Sequence, residues 1–228
     1  FGCIQIDGNV ALCLNGHTIT IIDDRDAFDI RRFAESNPPT LTLTDCKNSG
    51  QITHGTSNGT KYLGNGVSLH KSCNFIMYGG SITGNTTTGG ENTTWRSGGV
   101  WLRDNSTFTM YGGSISGNTA DQGGGVYNRG TFNMNGGTIS LNTAYNGGGV
   151  YNGSGSTFSM YGGTITGNKA EKTNGTAYGG GVYNQGTFNM YGGEITNNTA
   201  TVGGGGVFNE GTFTMSAGTT ISENKAYG

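Results

Sequence analysis

The sequence predicts an all-β chain, a right-handed parallel β-helix of about eight stacked coils with three short strands in each. Three observations predict it. All six methionines fall at one position of an internal repeat. Apolar residues alternate with polar ones over runs of three to five, the period of a strand and not of a helix. The 46 glycines, set against 2 prolines, stand at fixed places between those runs and not at random.

The repeat is read from its centre outward. Each methionine (Met77, Met110, Met134, Met160, Met190, Met215) follows a phenylalanine by two residues: Phe75, Phe108, Phe132, Phe158, Phe188, Phe213. Five residues after the methionine comes Ile82, Ile115, Ile139, Ile165 or Ile195, with Ile221 one residue later in the last row. The frame extends back through Leu12, Leu14 and Ile19, and through Leu41, Leu43 and Ile52. Ahead of each Phe-x-Met stands a valine behind glycine (Val67, Val100, Val126, Val150, Val182, Val207), with Ile4 in the same slot of the first row. Three short alternating segments recurring every 24 to 33 residues or so describe one coil of a solenoid. Stacking at about 4.8 Å places Phe on Phe, Met on Met and Ile on Ile.

The corners agree. Asn85, Asn118, Asn142, Asn168, Asn198 and Asn224 follow the isoleucine strand at a fixed offset. Asparagine tolerates left-handed turns, and stacked amides can form a hydrogen-bonded ladder. Ala120, Ala144, Ala170, Ala200 and Ala226 follow two residues later, and Asn128, Asn152, Asn184 and Asn209 form a second rank.

One domain, residues 1–228, is expected: irregular coils over 1–74, then regular repeats over 75–228. A lateral loop or short helix is expected at about 22–40, which holds Asp23, Asp24, Asp26, Asp29 and the Pro38-Pro39 stop. Insertions gather at one corner, Thr86–Ser97 and Glu171–Tyr178, where a solenoid often carries its working loops. Ala226-Tyr227-Gly228 repeats Ala177-Tyr178-Gly179, which leads straight into another valine strand. The expectation is a segment of a longer protein, with end-to-end self-association open to its apolar layers.

Composition excludes several classes. A net charge of −2 without a basic stripe argues against nucleic acid. No apolar run approaches the roughly 18 residues of a transmembrane helix. Cys3, Cys13, Cys46 and Cys73 contain no Cys-x-x-Cys pair, so zinc is poorly supported, and their disulfide pairing is open among three connectivities. The calcium-binding nonapeptide of β-rolls is absent. Calcium at Asp23, Asp24 and Asp26 is a weak candidate, because the Asp-x-Asp-x-Asp-Gly spacing is missing.

The unit Gly123-Gly124-Gly125-Val126-Tyr127-Asn128, then Thr131-Phe132, Gly137-Thr138-Ile139-Ser140 and Asn142-Thr143-Ala144, carries a resemblance. Over roughly residues 64–228 the chain resembles repeats of bacterial cell-surface β-helix proteins, including the polymorphic outer-membrane protein type of autotransporter passenger. The resemblance implies export to the cell surface or extracellular space of a bacterium, with adhesion or display as the role. It carries over no catalytic residue.

Three outward surfaces are candidates. Beside the valines, Trp101, Tyr127, Tyr151, Tyr183 and Phe208 form an aromatic column suited to a sugar ring or a protein partner. Tyr78, Tyr111, Tyr161 and Tyr191 form a partial second column after the methionines. The isoleucine strands point Ser and Thr outward in two ranks, the array an ice-binding β-helix would use, interrupted at Gln51 and Glu194. Catalysis would need clustered carboxylates in a groove. Only the N-terminal third offers ionisable groups in number: the four aspartates above, Asp45, His54, His70, Lys71, Arg96, Arg103 and Asp104. The leading expectation is therefore a non-enzymatic adhesion or display module binding glycan or protein. A carbohydrate-active enzyme, with its site between the acidic loop and Thr86–Ser97, is the alternative.

Overall fold

The computed structural model describes residues 2–32, 37–57, 59–88, 97–172 and 175–228. It is a right-handed parallel β-helix. Three parallel sheets of eight strands run its length, and no helix occurs among the described residues. The valine sheet begins with Ile4–Ile6 and ends with Val207–Asn209, the Phe/Met sheet runs from Val10–Cys13 to Thr212–Met215, and the isoleucine sheet from Thr18–Ile21 to Thr220–Ser222. Equivalent residues pair in register: Phe108 with Phe132, Met110 with Met134, Ile115 with Ile139.

This register follows from the alternation. A slip of one residue would turn every inward side chain to water. Inward residues from all three sheets form one continuous core, in which Phe75 through Phe188, Met77 through Met190 and Ile82 through Ile195 are fully buried. The phenylalanine rings stack at centroid spacings of 4.6–4.9 Å from Phe75 to Phe213. That is the coil spacing itself, so ring stacking and strand pairing satisfy the same geometry. Between the Phe/Met and isoleucine sheets the chain turns at a glycine such as Gly137, whose φ of 83° is open to glycine and strained for other residues.

The asparagines behave as the corner chemistry requires. From Asn85 to Asn224, each buried amide Nδ2 donates to Oδ1 of the next asparagine at 2.9–3.0 Å, and that Oδ1 also accepts the backbone N–H of the preceding member at 2.9–3.0 Å. The second rank lies inside the valine sheet, in the slot that Leu69 and Leu102 fill lower down. Asn128, Asn152 and Asn184 donate to the next amide at 2.6–2.7 Å.

The irregular N-terminal region differs from expectation. Among the described residues of 22–40 there is no helix, and the segment is not wholly lateral, because Phe28–Ile30 is the valine-sheet strand of the second coil, paired with Ile4–Ile6 and Val67–Leu69. Phe28 and Ile30 are buried, so the segment had apolar residues to contribute to the core. The lateral excursion comes later, as an antiparallel hairpin of Thr56–Ser57 with Thr60–Lys61. A narrow fourth sheet also forms from Thr143–Ala144, Lys169–Ala170, Thr199–Ala200 and Lys225–Ala226. Its alanines pair across the corner as short strands, and Ala170 and Ala200 pack into a small cluster with Ala177.

Candidate polar cleft on the valine sheet

The aromatic column exists and is in register. Trp101 pairs with Tyr127, Tyr127 with Tyr151, Tyr151 with Tyr183, and Tyr183 with Phe208. It is not the open ladder that outward alternation suggested. Tyr127, Tyr151 and Tyr183 are only 3%, 7% and 8% exposed. Two causes act together. The rings stack face to face, at 4.9 Å for Tyr127–Tyr151 and 5.0 Å for Tyr151–Tyr183, which hides both faces of the middle ring. Tyr178, from the corner ahead of the valine strand, also packs against the cluster. The hydroxyls are engaged too: Tyr151 donates to Gln185 Oε1 and Tyr183 to Glu210 Oε2, each at 2.7 Å. Burial, then the Glu210 carboxylate, pushes the Tyr183 phenol upward. Trp101 and Phe208, at the two ends of the column, remain half-buried.

The open aromatic surface is the second column. Tyr78, Tyr111, Tyr161 and Tyr191 are about half exposed, and they stack as two pairs, Tyr78–Tyr111 at 4.9 Å and Tyr161–Tyr191 at 5.1 Å. Asn135 occupies the coil between the pairs.

Below Trp101 the buried column changes chemistry. Ser68, Asp29 and Gln5 continue the same outward rank on the preceding coils. Here the sheet face carries a cleft of ≈ 220 Å³, whose lining includes Gln5, Asp26, Asp29, Arg31 and Asn65, with Trp101 and Arg103 at its upper end. The Arg103 guanidinium sits 4.1 Å above the Trp101 ring, a cation–π contact. Arg103 has no ion-pair partner among the described residues, and burial lowers its proton affinity.

The two aspartates are held differently. Asp29 bonds the Arg31 guanidinium through Oδ2, and its Oδ1 lies 2.9 Å from His70 Nε2, out of hydrogen-bond alignment. Burial pushes the Asp29 carboxyl up, but His70 and Arg31 more than offset it, so the net direction is down. Asp26 accepts the Asn65 backbone N–H at 2.9 Å and its Nδ2 at 2.7 Å. Burial dominates there, and the Asp26 carboxyl is pushed up. Three polar atoms of the cleft lining are buried without a partner: Asn65 Oδ1, Trp101 Nε1 and Arg103 Nε. Each such atom carries a desolvation cost of about 1–3 kcal/mol while it stays unsatisfied.

The remaining ionisable residues are spoken for separately. Asp23 pairs with Arg25, and Asp24 accepts the Leu63 N–H at 2.7 Å. With Asp26 bound to Asn65, the three carboxylates proposed for calcium are engaged separately, Asp23 by Arg25 and the other two by Leu63 and Asn65, and no group of three possible metal ligands forms among the described residues. Asp45 joins two turns by accepting from Gly16 and Gly50, each at 2.7 Å. His54 ends the asparagine ladder, with Nδ1 2.7 Å from Asn85 Oδ1 and Nε2 2.7 Å from the Arg25 carbonyl. Asp104 meets Arg129 at the surface. Arg96 and most of Thr86–Ser97 lie outside the described residues. Sequence reasoning did not single out Gln5, Arg31 or Asn65. The only signal that could have found them is the pairing of Phe28–Ile30 with its neighbours, which brings four coils to one place.

No family model, curated protein or solved structure matches the chain. Among the described residues no helix is long and apolar enough to cross a membrane.

Proposed function

We propose that the chain is a non-enzymatic adhesion or display module of an exported bacterial protein, and that it binds a glycan in the polar cleft beside Trp101. The observation that carries this reading is the set of buried, unpartnered polar atoms, with donors on Trp101 and Arg103 and an acceptor on Asn65, gathered around one cleft. Saccharides present dense hydroxyl donors and acceptors on a ring that packs against an indole edge or face, so they suit such a set. On the coils above Trp101 the stack of rings and amides continues the same sheet. The resemblance to surface β-helix repeats agrees in class.

The test is a glycan array probed with the full chain, with Trp101→Ala and Phe208→Ala in parallel and circular dichroism melting as the folding control. Binding should be lost in Trp101→Ala and kept in Phe208→Ala. An array silent for the parent chain, or binding that ignores Trp101, defeats the proposal.

One observation favours a carbohydrate-active enzyme as the second reading. Asp26 and Asp29 lie in the same cleft with proton affinities moved in opposite directions, the arrangement that separates a general acid from a base. Release of reducing ends or unsaturated products from a polysaccharide panel, abolished by Asp26→Asn, would support it. No product from any polysaccharide would remove it.

A further inference from the structure

Two of the four cysteines meet across coils. Cys13 ends the strand Val10–Cys13, which pairs with Thr40–Thr44 so that the Cys13 and Thr44 Cα atoms are partners. Cys46 lies just beyond that partner strand, and its Sγ is 3.0 Å from the Sγ of Cys13. Both side chains are exposed. The approach is held by the backbone and not by chance rotamers. Leu14 N–H donates to the Thr44 carbonyl at 2.9 Å, and the Asp45 carboxylate grips Gly16 of one turn and Gly50 of the other. Asn15 and Asn48 hold those turns in the left-handed region, at φ of 49° and 56°.

The remaining cysteines have the opposite setting. Burial pushes Cys3 and Cys73 up to about 11, which keeps them as inert thiols near neutrality. The hydrogen bond from the Cys46 thiol, by contrast, lowers Cys13 to about 7. Either sulfur can hold the shared proton, and with Cys13 as the thiolate it attacks and Cys46 resolves.

We propose that Cys13 and Cys46 are joined by a disulfide that staples the first coil to the second, formed by exchange with a small-molecule disulfide. The chemistry balances with oxidised glutathione as the oxidant. The Cys13 thiolate attacks one glutathione sulfur, forming a mixed disulfide and expelling a glutathione thiolate. Cys46, losing its proton to solvent, attacks the Cys13 sulfur and expels the second glutathione. Two protein thiols are oxidised and one glutathione disulfide is reduced to two thiols. The sulfurs need only close from 3.0 Å to the bonded distance of about 2.05 Å. The staple joins a coil whose Ile4, Leu12 and Ile19 are only partly buried to its fully buried neighbour, Leu41, Leu43 and Ile52.

The test equilibrates the full folded chain with oxidised glutathione at pH 8, blocks free thiols with iodoacetamide and maps tryptic peptides without reduction. Cleavage at Arg25, Arg32 and Lys47 puts Cys13 and Cys46 in different peptides, and fragmentation between Cys3 and Cys13 assigns the linked sulfur. The expected result is one Cys13–Cys46 linked pair, lost in Cys13→Ser and in Cys46→Ser, with Cys3 and Cys73 alkylated only after denaturation. Reduction should then speed proteolysis at Arg25 in the parent and leave the double serine variant unchanged. Full alkylation of Cys13 and Cys46 in the folded chain, or a link through Cys3 or Cys73 instead, overturns the proposal.

Discussion

The asparagine ladder makes a quantitative claim at Asn142. Its Nδ2 donates to the Ile115 carbonyl and to Asn168 Oδ1, each at 3.0 Å, and its Oδ1 accepts from the backbone nitrogen and Nδ2 of Asn118, each at 3.0 Å. All of these groups are buried away from water. Asn142→Ala deletes the four bonds and leaves a cavity too small to admit several waters. At a net worth of about 1 kcal/mol each, the loss is roughly 3–5 kcal/mol. Asn142→Asp is the sharper variant. It keeps the shape and the two acceptor bonds, but loses both donors and sets an anion against Asn168 Oδ1. Burial would raise the introduced carboxyl above its unfolded value of about 3.9. Its destabilisation should therefore be full at neutral pH and fade as pH falls through the raised value, because protonation restores a donor. The assay is urea unfolding followed by circular dichroism, at pH 7 and pH 4, with exposed Asn135→Ala as a control expected within about 0.5 kcal/mol of the parent. A loss for Asn142→Ala below about 1 kcal/mol at unchanged m-value would show that the ladder is a consequence of strand stacking and not a cause of stability.

Two further outcomes are expected. At Gly125 a Cβ would meet the Gly149 carbonyl at 2.7 Å and Ile139 Cγ2 at 2.9 Å, whereas at Gly8 it would meet nothing within 4 Å. Gly125→Ala should cost about 1–3 kcal/mol in the same unfolding assay, and Gly8→Ala should be close to neutral; equal effects would refute the idea that close coil approach selects glycine. Asp26 is a carboxyl whose proton affinity is raised by burial, so its ionisation opposes folding as pH rises through that raised value. Asp26→Asn can still accept from Asn65, and should raise the melting temperature at pH 7 but not below pH 3; a lower melting temperature at pH 7 would reverse the assignment.

Most of the scaffold was legible because one strong pattern repeated. Phe-x-Met and the isoleucine five residues on mark two sheets without ambiguity, and glycine followed by valine marks the third. Phe28–Ile30 escaped the pattern because no glycine pair precedes it, an aspartate sits at its centre, and the acidic residues before it read as a loop. How deeply the tyrosine column lies was not legible for another reason. Alternation tells which way Tyr127, Tyr151 and Tyr183 point, but not that the rings close on one another and that Tyr178 packs against them. The cleft was the least legible feature. Gln5, Asp29, Ser68 and Trp101 share no motif and are separated by insertions of different length, so only the register of four successive coils brings them into one rank. The same holds for Cys13 and Cys46, whose meeting depends on two turns and the aspartate between them.

The two amide ladders run with one polarity: every donor lies on the lower coil and every acceptor on the coil above. A coil such as Val126–Gly149 therefore offers its lower neighbour what its upper neighbour offers it. Deleting or duplicating such a unit in frame rejoins matched groups, while changing a single rank member does not. Length becomes a neutral quantity that unequal recombination can adjust, and the height at which the polar cleft stands from any anchoring point can drift without the scaffold losing its internal pairing.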